Sequence, residues 1–65
     1  MMRKIDYIKN KFPDAVIIHT EYTATGDFIT FESKNSIITL FFNDSEHKIF
    51  KLRGGKYAEF VAEQY

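Results

Sequence analysis

Three cations surround a glycine pair in Lys51-Leu52-Arg53-Gly54-Gly55-Lys56-Tyr57, and together they have the parts of an anion site. Glycines ahead of a helix free its first N–H groups, and Lys51, Arg53 and Lys56 would add charge for phosphate or nucleic acid. The spacing favours something plainer. A Walker loop needs four residues between its glycines and a Ser or Thr after its lysine, whereas Tyr57 follows Lys56 here. Gly54-Gly55 therefore reads as a hinge between a strand and a helix, with the cations in water.

Histidine and carboxylate groups offer a second chemistry. His19 and Glu21 share one strand face, and Glu46-His47 adjoins a polar turn. Two histidines and a carboxylate are the parts of a facial metal triad. The strand register below sets His19 beside Glu32 and strands away from His47, and a cross-strand His–Glu pair needs no metal. Ser33, Ser36 and Ser45 fall at turns, with no histidine placed as their base. The chain has no cysteine, which removes disulfides, thiolate zinc sites and thiol nucleophiles. A chain of 65 residues is also expected to be too small to enclose a pocket of about 300 Å³. The expectation is a protein that is not an enzyme, with no metal and no cofactor.

Those groups must be carried by a single small domain spanning residues 1–65, near the lower limit for folding alone. Its 45% hydrophobic and 17% aromatic content supplies enough apolar surface to fold. Nine basic residues balance nine acidic ones, which argues against a positive field for nucleic acid or anionic lipid. The apolar runs Ala15–Ile18 and Leu40–Phe42 are far too short to span a bilayer. Arg3 and Lys4 lead into no apolar run, so a secretory signal is not expected and the compartment is read as cytoplasmic.

Met1, Ile5, Ile8 and Phe12 recur at helical spacing, predicting an amphipathic helix near residues 3–12 that Pro13 ends. Ala15 to Thr23, Phe28 to Ser33 and Ser36 to Phe42 are rich in Ile, Val, Thr, Phe and Tyr and predict three strands. Thr25-Gly26 and Lys34-Asn35 each leave room for a two-residue hairpin loop. The first turn would pair Tyr22 with Ile29 and Thr20 with Phe31. The second would pair Phe31 with Ile38, Ile29 with Leu40 and Phe28 with Phe41. Both turns place Val16, Ile18, Thr20, Tyr22, Ile29, Phe31, Ile38, Leu40 and Phe42 on one face. A fourth strand, His47 to Arg53, adds Phe50 and Leu52 to that face if its loop has three residues, and Ile49 if it has two or four; the first is preferred. Tyr57, Phe60, Val61 and Tyr65 then share a helical face, predicting a C-terminal helix near 56–64. The expected fold is α+β, an antiparallel sheet of three to four strands with both terminal helices on one face, in the order α-β-β-β-β-α. That order resembles the α-β-β-β-α of the double-stranded-RNA-binding domain, with an extra strand and only Lys56 where that family has a lysine cluster. The resemblance is one of element order alone.

Two short helices cannot cover both sides of the sheet. The second face would carry Ile17, His19, Glu21, Phe28, Thr30, Glu32, Ile37, Thr39 and Phe41, joined by Ile49, Lys51 and Arg53. Large apolar groups gather there around the Phe28–Phe41 pair, more than a half-exposed sheet normally shows water. Ile17, Phe28, Ile37, Phe41 and Ile49 are therefore the expected partner interface. The function that follows is a small protein-interaction module, homodimeric through this face or docked on a larger protein as a regulator or inhibitor, in the style of a phage or plasmid accessory protein. The alternative is a nucleic-acid module that stacks bases on Phe28 and Phe41 beside Lys51 and Arg53, against which Glu21, Glu32 and the neutral charge weigh.

Overall fold

The structure is a computed structural model that describes residues 3–53 and 56–61, with side chains from Arg3 to Leu52. One helix, α1 (Lys4–Lys11), precedes five strands: β1 (Val16–Tyr22), β2 (Gly26–Ser33), β3 (Ser36–Asn43), β4 (Lys48–Arg53) and β5 (Lys56–Val61). The strands form one antiparallel meander in the order β1-β2-β3-β4-β5. Every connection between them is short, as antiparallel neighbours permit.

The core lies between α1 and one face of the sheet. Tyr7, Ile8, Ile29, Phe31, Leu40, Phe42 and Ile49 are buried there, with Ile5, Phe12, Ala15, Ile17 and Ile38 packed around them. Proline at position 13 ends the helix: Phe12 leaves the helical region while its N–H still reaches the Ile8 carbonyl. The apolar stripe on α1 is wider than Ile5, Ile8 and Phe12 imply. Tyr7 also turns inward, its ring edge-on to Phe42 at 5.9 Å. Lys4 stands within the same arc, and its Nζ reaches Asp27 at 2.6 Å and Asp44 at 3.0 Å. Burial works against its charge, but hydrogen bonds and attraction to the two carboxylates outweigh that and hold the ammonium above its ordinary value. This ion triplet pins the start of α1 to the end of the sheet where β2 begins.

The β2–β3 hairpin has the expected register. Phe31 faces Ile38, Ile29 faces Leu40 and Phe28 faces Phe41. Lys34 and Asn35 take φ of 51° and 64°, the left-handed pair that a two-residue turn of right twist requires. Asp14 ties this turn to the segment after α1: Ser33 Oγ donates to Oδ1 at 2.6 Å and the Lys34 N–H to Oδ2 at 2.9 Å. Both bonds, the hydroxyl first, favour the ionised carboxylate and hold its pKa below the ordinary value. Because the folded pKa is depressed, the stabilisation is present above the unfolded value and disappears as pH falls through the folded one. Asp14→Asn is therefore expected to lower the melting temperature at neutral pH. The gap from the parent should close in acid, below the ordinary carboxylate range of about 4. Thermal melts across that window check the expectation, and a gap independent of pH contradicts it.

The β1–β2 hairpin differs from expectation in two ways. Tyr22 pairs with Asp27 and Thr20 with Ile29, so the turn centres on Ala24-Thr25, closed by Thr23 N–H to the Gly26 carbonyl at 2.8 Å. The Thr23 hydroxyl donates to the same carbonyl and accepts from the Gly26 N–H, which fixes the turn one residue early. Gly26 serves a need other than turn conformation: a Cβ there would collide with the Phe42 carbonyl. The second difference is a bulge between Ile17 and His19. It switches the first half of β1, so that Ile17 faces Phe31 and packs on the core, while Val16 and Ile18 are 62% and 54% exposed.

Two further expectations are corrected. The segment read as a C-terminal helix runs as strand β5 over Lys56–Val61, with Arg53 paired to Lys56 and Leu52 to Tyr57. Positions 62–64 of that reading lie outside the described residues. Gly54-Gly55, read from the sequence as a hinge, lie outside the described residues. The element-order resemblance to the double-stranded-RNA-binding domain goes with the helix. In β4, Phe42 faces Ile49 and Leu40 faces Lys51, which makes the preceding loop four residues long. Ile49 is fully buried, and Phe50 turns to the other face.

Candidate functional site

The second sheet face carries a row of three phenylalanines, one from each central strand. Phe28 and Phe41 are 4.5 Å apart by ring centroid, and Phe41 stacks toward Phe50 at 6.3 Å. The row exists because Phe28 is paired with Phe41 and Phe41 with Phe50, and directly opposed residues share a face. All three are half-buried. Beside the row, Thr30 and Thr39 join through their hydroxyls at 2.9 Å. Around it stand exposed apolar groups, Val16 at 62%, Ile37 at 64% and Leu52 at 36%. His19 and Glu21 are exposed on β1 across from Thr30 and Phe28. Among the described residues the only helix, α1, packs against the opposite face.

A cleft adjoins this face. The β3–β4 ladder runs from Asn43–Lys48 to Leu40–Lys51, and beyond it the start of β3 and the end of β4 part. Between them opens a cleft of about 620 Å³, with Phe12, Pro13, Ile37, Ile38 and Leu52 among its walls. The cleft arises where two strands separate, open at its side, and needs no enclosing shell. Lys11, Lys34 and Lys51 also line it. Phe12, Pro13, Ile38 and Lys51 wall it from the helix side, and Ile37 and Leu52 form the rim where it meets the exposed face.

The sequence-derived site residues are redistributed accordingly. Phe28, Ile37 and Phe41 stand on the second face. Ile17 and Ile49 do not: both belong to the core around Phe31 and Phe42, Ile17 through the bulge and Ile49 through the four-residue loop. Lys51 stands across from Leu40, on the side of the helix and not beside the aromatic row. Arg53 and Lys56 are backbone partners in the β4–β5 hairpin, and their side chains lie outside the described residues. Lys56 opens a strand, so the helix N-terminus that an anion loop would need is absent at that place. His19 faces Thr30 instead of Glu32. Phe50, Val16 and Leu52 are the members that sequence reasoning missed. The signal for Phe50 and Leu52 was the loop length after Asn43; for Val16 it was the bulge.

Among the described residues, no group of three histidine or carboxylate side chains is placed to hold a metal. None of the described helices is long and apolar enough to cross a membrane. In comparison with known proteins, the chain matches no family model, no curated protein and no solved structure.

Proposed function

We propose that this chain is a small non-catalytic interaction module that docks a larger protein on its second sheet face and acts as its regulator or inhibitor. The observation that carries the proposal is the continuity of the exposed Ile37 and Leu52 with both the phenylalanine row and the open cleft. Interfaces are strongest where an apolar anchor enters a pocket surrounded by aromatic groups. Here the cleft would take the anchor, and the row would form the flat floor beside it. Balanced charge, with nine basic and nine acidic residues, supports a protein partner over a polyanion. The nucleic-acid reading keeps a stacking surface in Phe28, Phe41 and Phe50, but the lysines of the cleft, Lys11, Lys34 and Lys51, lie away from that row, with Lys51 on the helix side, and Glu21 and Glu32 are exposed on the aromatic side.

The double variant Ile37→Glu, Leu52→Glu tests it. Both positions are exposed, so the change in folding stability is expected within about 0.5 kcal/mol per site. Affinity for a protein retained by the wild-type chain should fall at least about tenfold, since two apolar contacts become desolvated charges. Unchanged retention of every bound protein would count against the surface. Binding of a single-stranded oligonucleotide by wild type, lost in the double variant, would move the assignment to nucleic acid.

A further inference from the structure

The cleft between β3 and β4 is chemically one-sided. Its apolar walls are edged by Lys11 from the end of α1, Lys34 from the β2–β3 turn and Lys51 from β4, and among the described residues no carboxylate lines it. The whole chain is balanced, with nine basic and nine acidic residues, so this is a local surplus of positive charge. Asp14 stands beside it, but both of its oxygens are engaged, one with the Ser33 hydroxyl and one with the Lys34 N–H. One carboxylate beside three ammonium groups leaves the surplus in place. Glu32 is exposed on the aromatic side, across from Ile37, which confines the positive field to the helix side and the turn. The backbone adds a second feature. Ser33 and Ser36 close a two-residue hairpin, and hydrogen-bonded pairs alternate along an antiparallel ladder from such a closing pair. Ile37 therefore turns its N–H and C=O away from β2, toward the β4 side. The β3–β4 ladder ends at Leu40–Lys51, short of Ile37, so no described strand pairs with it there.

We propose that the cleft receives an extended acidic segment of the partner protein: one apolar side chain enters between Ile37 and Leu52, the segment's backbone pairs with Ile37, and its carboxylates lie toward Lys11, Lys34 and Lys51. This occupant presupposes the docking surface proposed above and names what that surface recognises. Each part of the cleft selects it. An N–H and a C=O offered together by one strand residue are matched by another extended peptide, and not by a nucleic acid or a lipid. The walls of Phe12, Pro13 and Ile38 suit an aliphatic or aromatic side chain. The three lysines repel a basic segment and attract an acidic one. Lysine carries its charge as rotatable donors on a flexible stem, so it accepts a carboxylate from a range of positions. Acidic residues around an apolar anchor are therefore expected, without a strict spacing.

Selection from a displayed library of random peptides tests it without a known partner. The wild-type chain is expected to enrich peptides in which an apolar residue is flanked by Asp or Glu. A synthetic peptide of the enriched sequence should bind more weakly as salt rises. Replacing its acids with Asn or Gln should weaken it by at least about tenfold. Lys11→Glu with Lys34→Glu, both at exposed positions, should reverse the preference toward Lys and Arg, a swap that loss of folding cannot produce. Lys11→Gln with Lys34→Gln should abolish the preference, and it serves where the reversed variant does not fold. Enrichment of basic peptides or of none, or an acidic preference unchanged in the lysine variants, would each overturn the inference. So would a single-stranded oligonucleotide bound in preference to every peptide, which would assign the lysines to phosphate. Uncharged apolar peptides that are enriched by wild type and released by Ile37→Glu, Leu52→Glu would leave the docking surface standing and remove its acidic occupant. Acidic peptides held equally well by that double variant would remove both.

Discussion

Phe31→Ala is expected to leave most of the protein unfolded at room temperature. The ring is fully buried, held between Ile17 of β1 and Ile38 of β3 in the ladder, and packed against Phe12 at 5.0 Å. It is the point where α1, the bulged edge strand and the central hairpin meet. Truncating a buried phenylalanine costs about 3–5 kcal/mol in lost transfer energy and cavity. A domain of this size with no disulfide commonly has no more than about 3–5 kcal/mol in total. The loss is therefore comparable to the whole stability. Circular dichroism and amide-proton dispersion should show a largely unfolded chain, and a cooperative melt near the wild-type midpoint would remove Phe31 from the centre of the core. Phe28→Ala removes the same ring from the half-buried second face and should leave a folded protein.

How far the fold was legible depends on how local its causes are. The β2–β3 register could be read because two turn residues, Lys34 and Asn35, fix it and both adopt the left-handed region. The β1–β2 turn was misplaced by one residue. Moving a turn centre by one residue shifts the pairing by two, which preserves faces, so Thr20 and Tyr22 were still assigned to the helix side. The bulge was hidden because Ile17 and Ile18 are identical: either can be the one that packs. By local pattern Gly26 reads as a turn residue, but its real constraint is the Phe42 carbonyl on the neighbouring strand, a long-range contact that local pattern does not record. In β5, Tyr57, Phe60 and Val61 satisfy a helical stripe but are also strand formers. Pairing with β4 decides between them, not propensity. The candidate surface was legible to the same degree. Phe28, Ile37 and Phe41 follow from the legible hairpin, whereas Ile17, Ile49 and Lys51 depended on the bulge and on a loop whose length the pattern left open.

That loop gives the sharpest contrast available in the molecule. Ile49 and Phe50 are adjacent, both large and apolar, and the four-residue connection sends them to opposite faces. Ile49 faces Phe42 and is fully buried; Phe50 faces Phe41 and is half-buried. Ile49→Ala is expected to cost about 2–5 kcal/mol, because the cavity opens against Phe42 beneath α1. Phe50→Ala, although it deletes the larger side chain, should cost only about 1 kcal/mol, mainly its aromatic contact with Phe41. Ile49→Asp goes further: a carboxylate with no partner would sit among Leu40, Phe42 and Tyr7, and the chain should not fold at neutral pH. A three-residue loop would reverse the order, with Phe50 the costly position and Ile49→Asp tolerated. Urea unfolding of the two alanine variants, compared at equal slope, measures the difference directly. A larger loss at Phe50 than at Ile49 would move the phenylalanine row into the core and take the floor from the proposed docking surface.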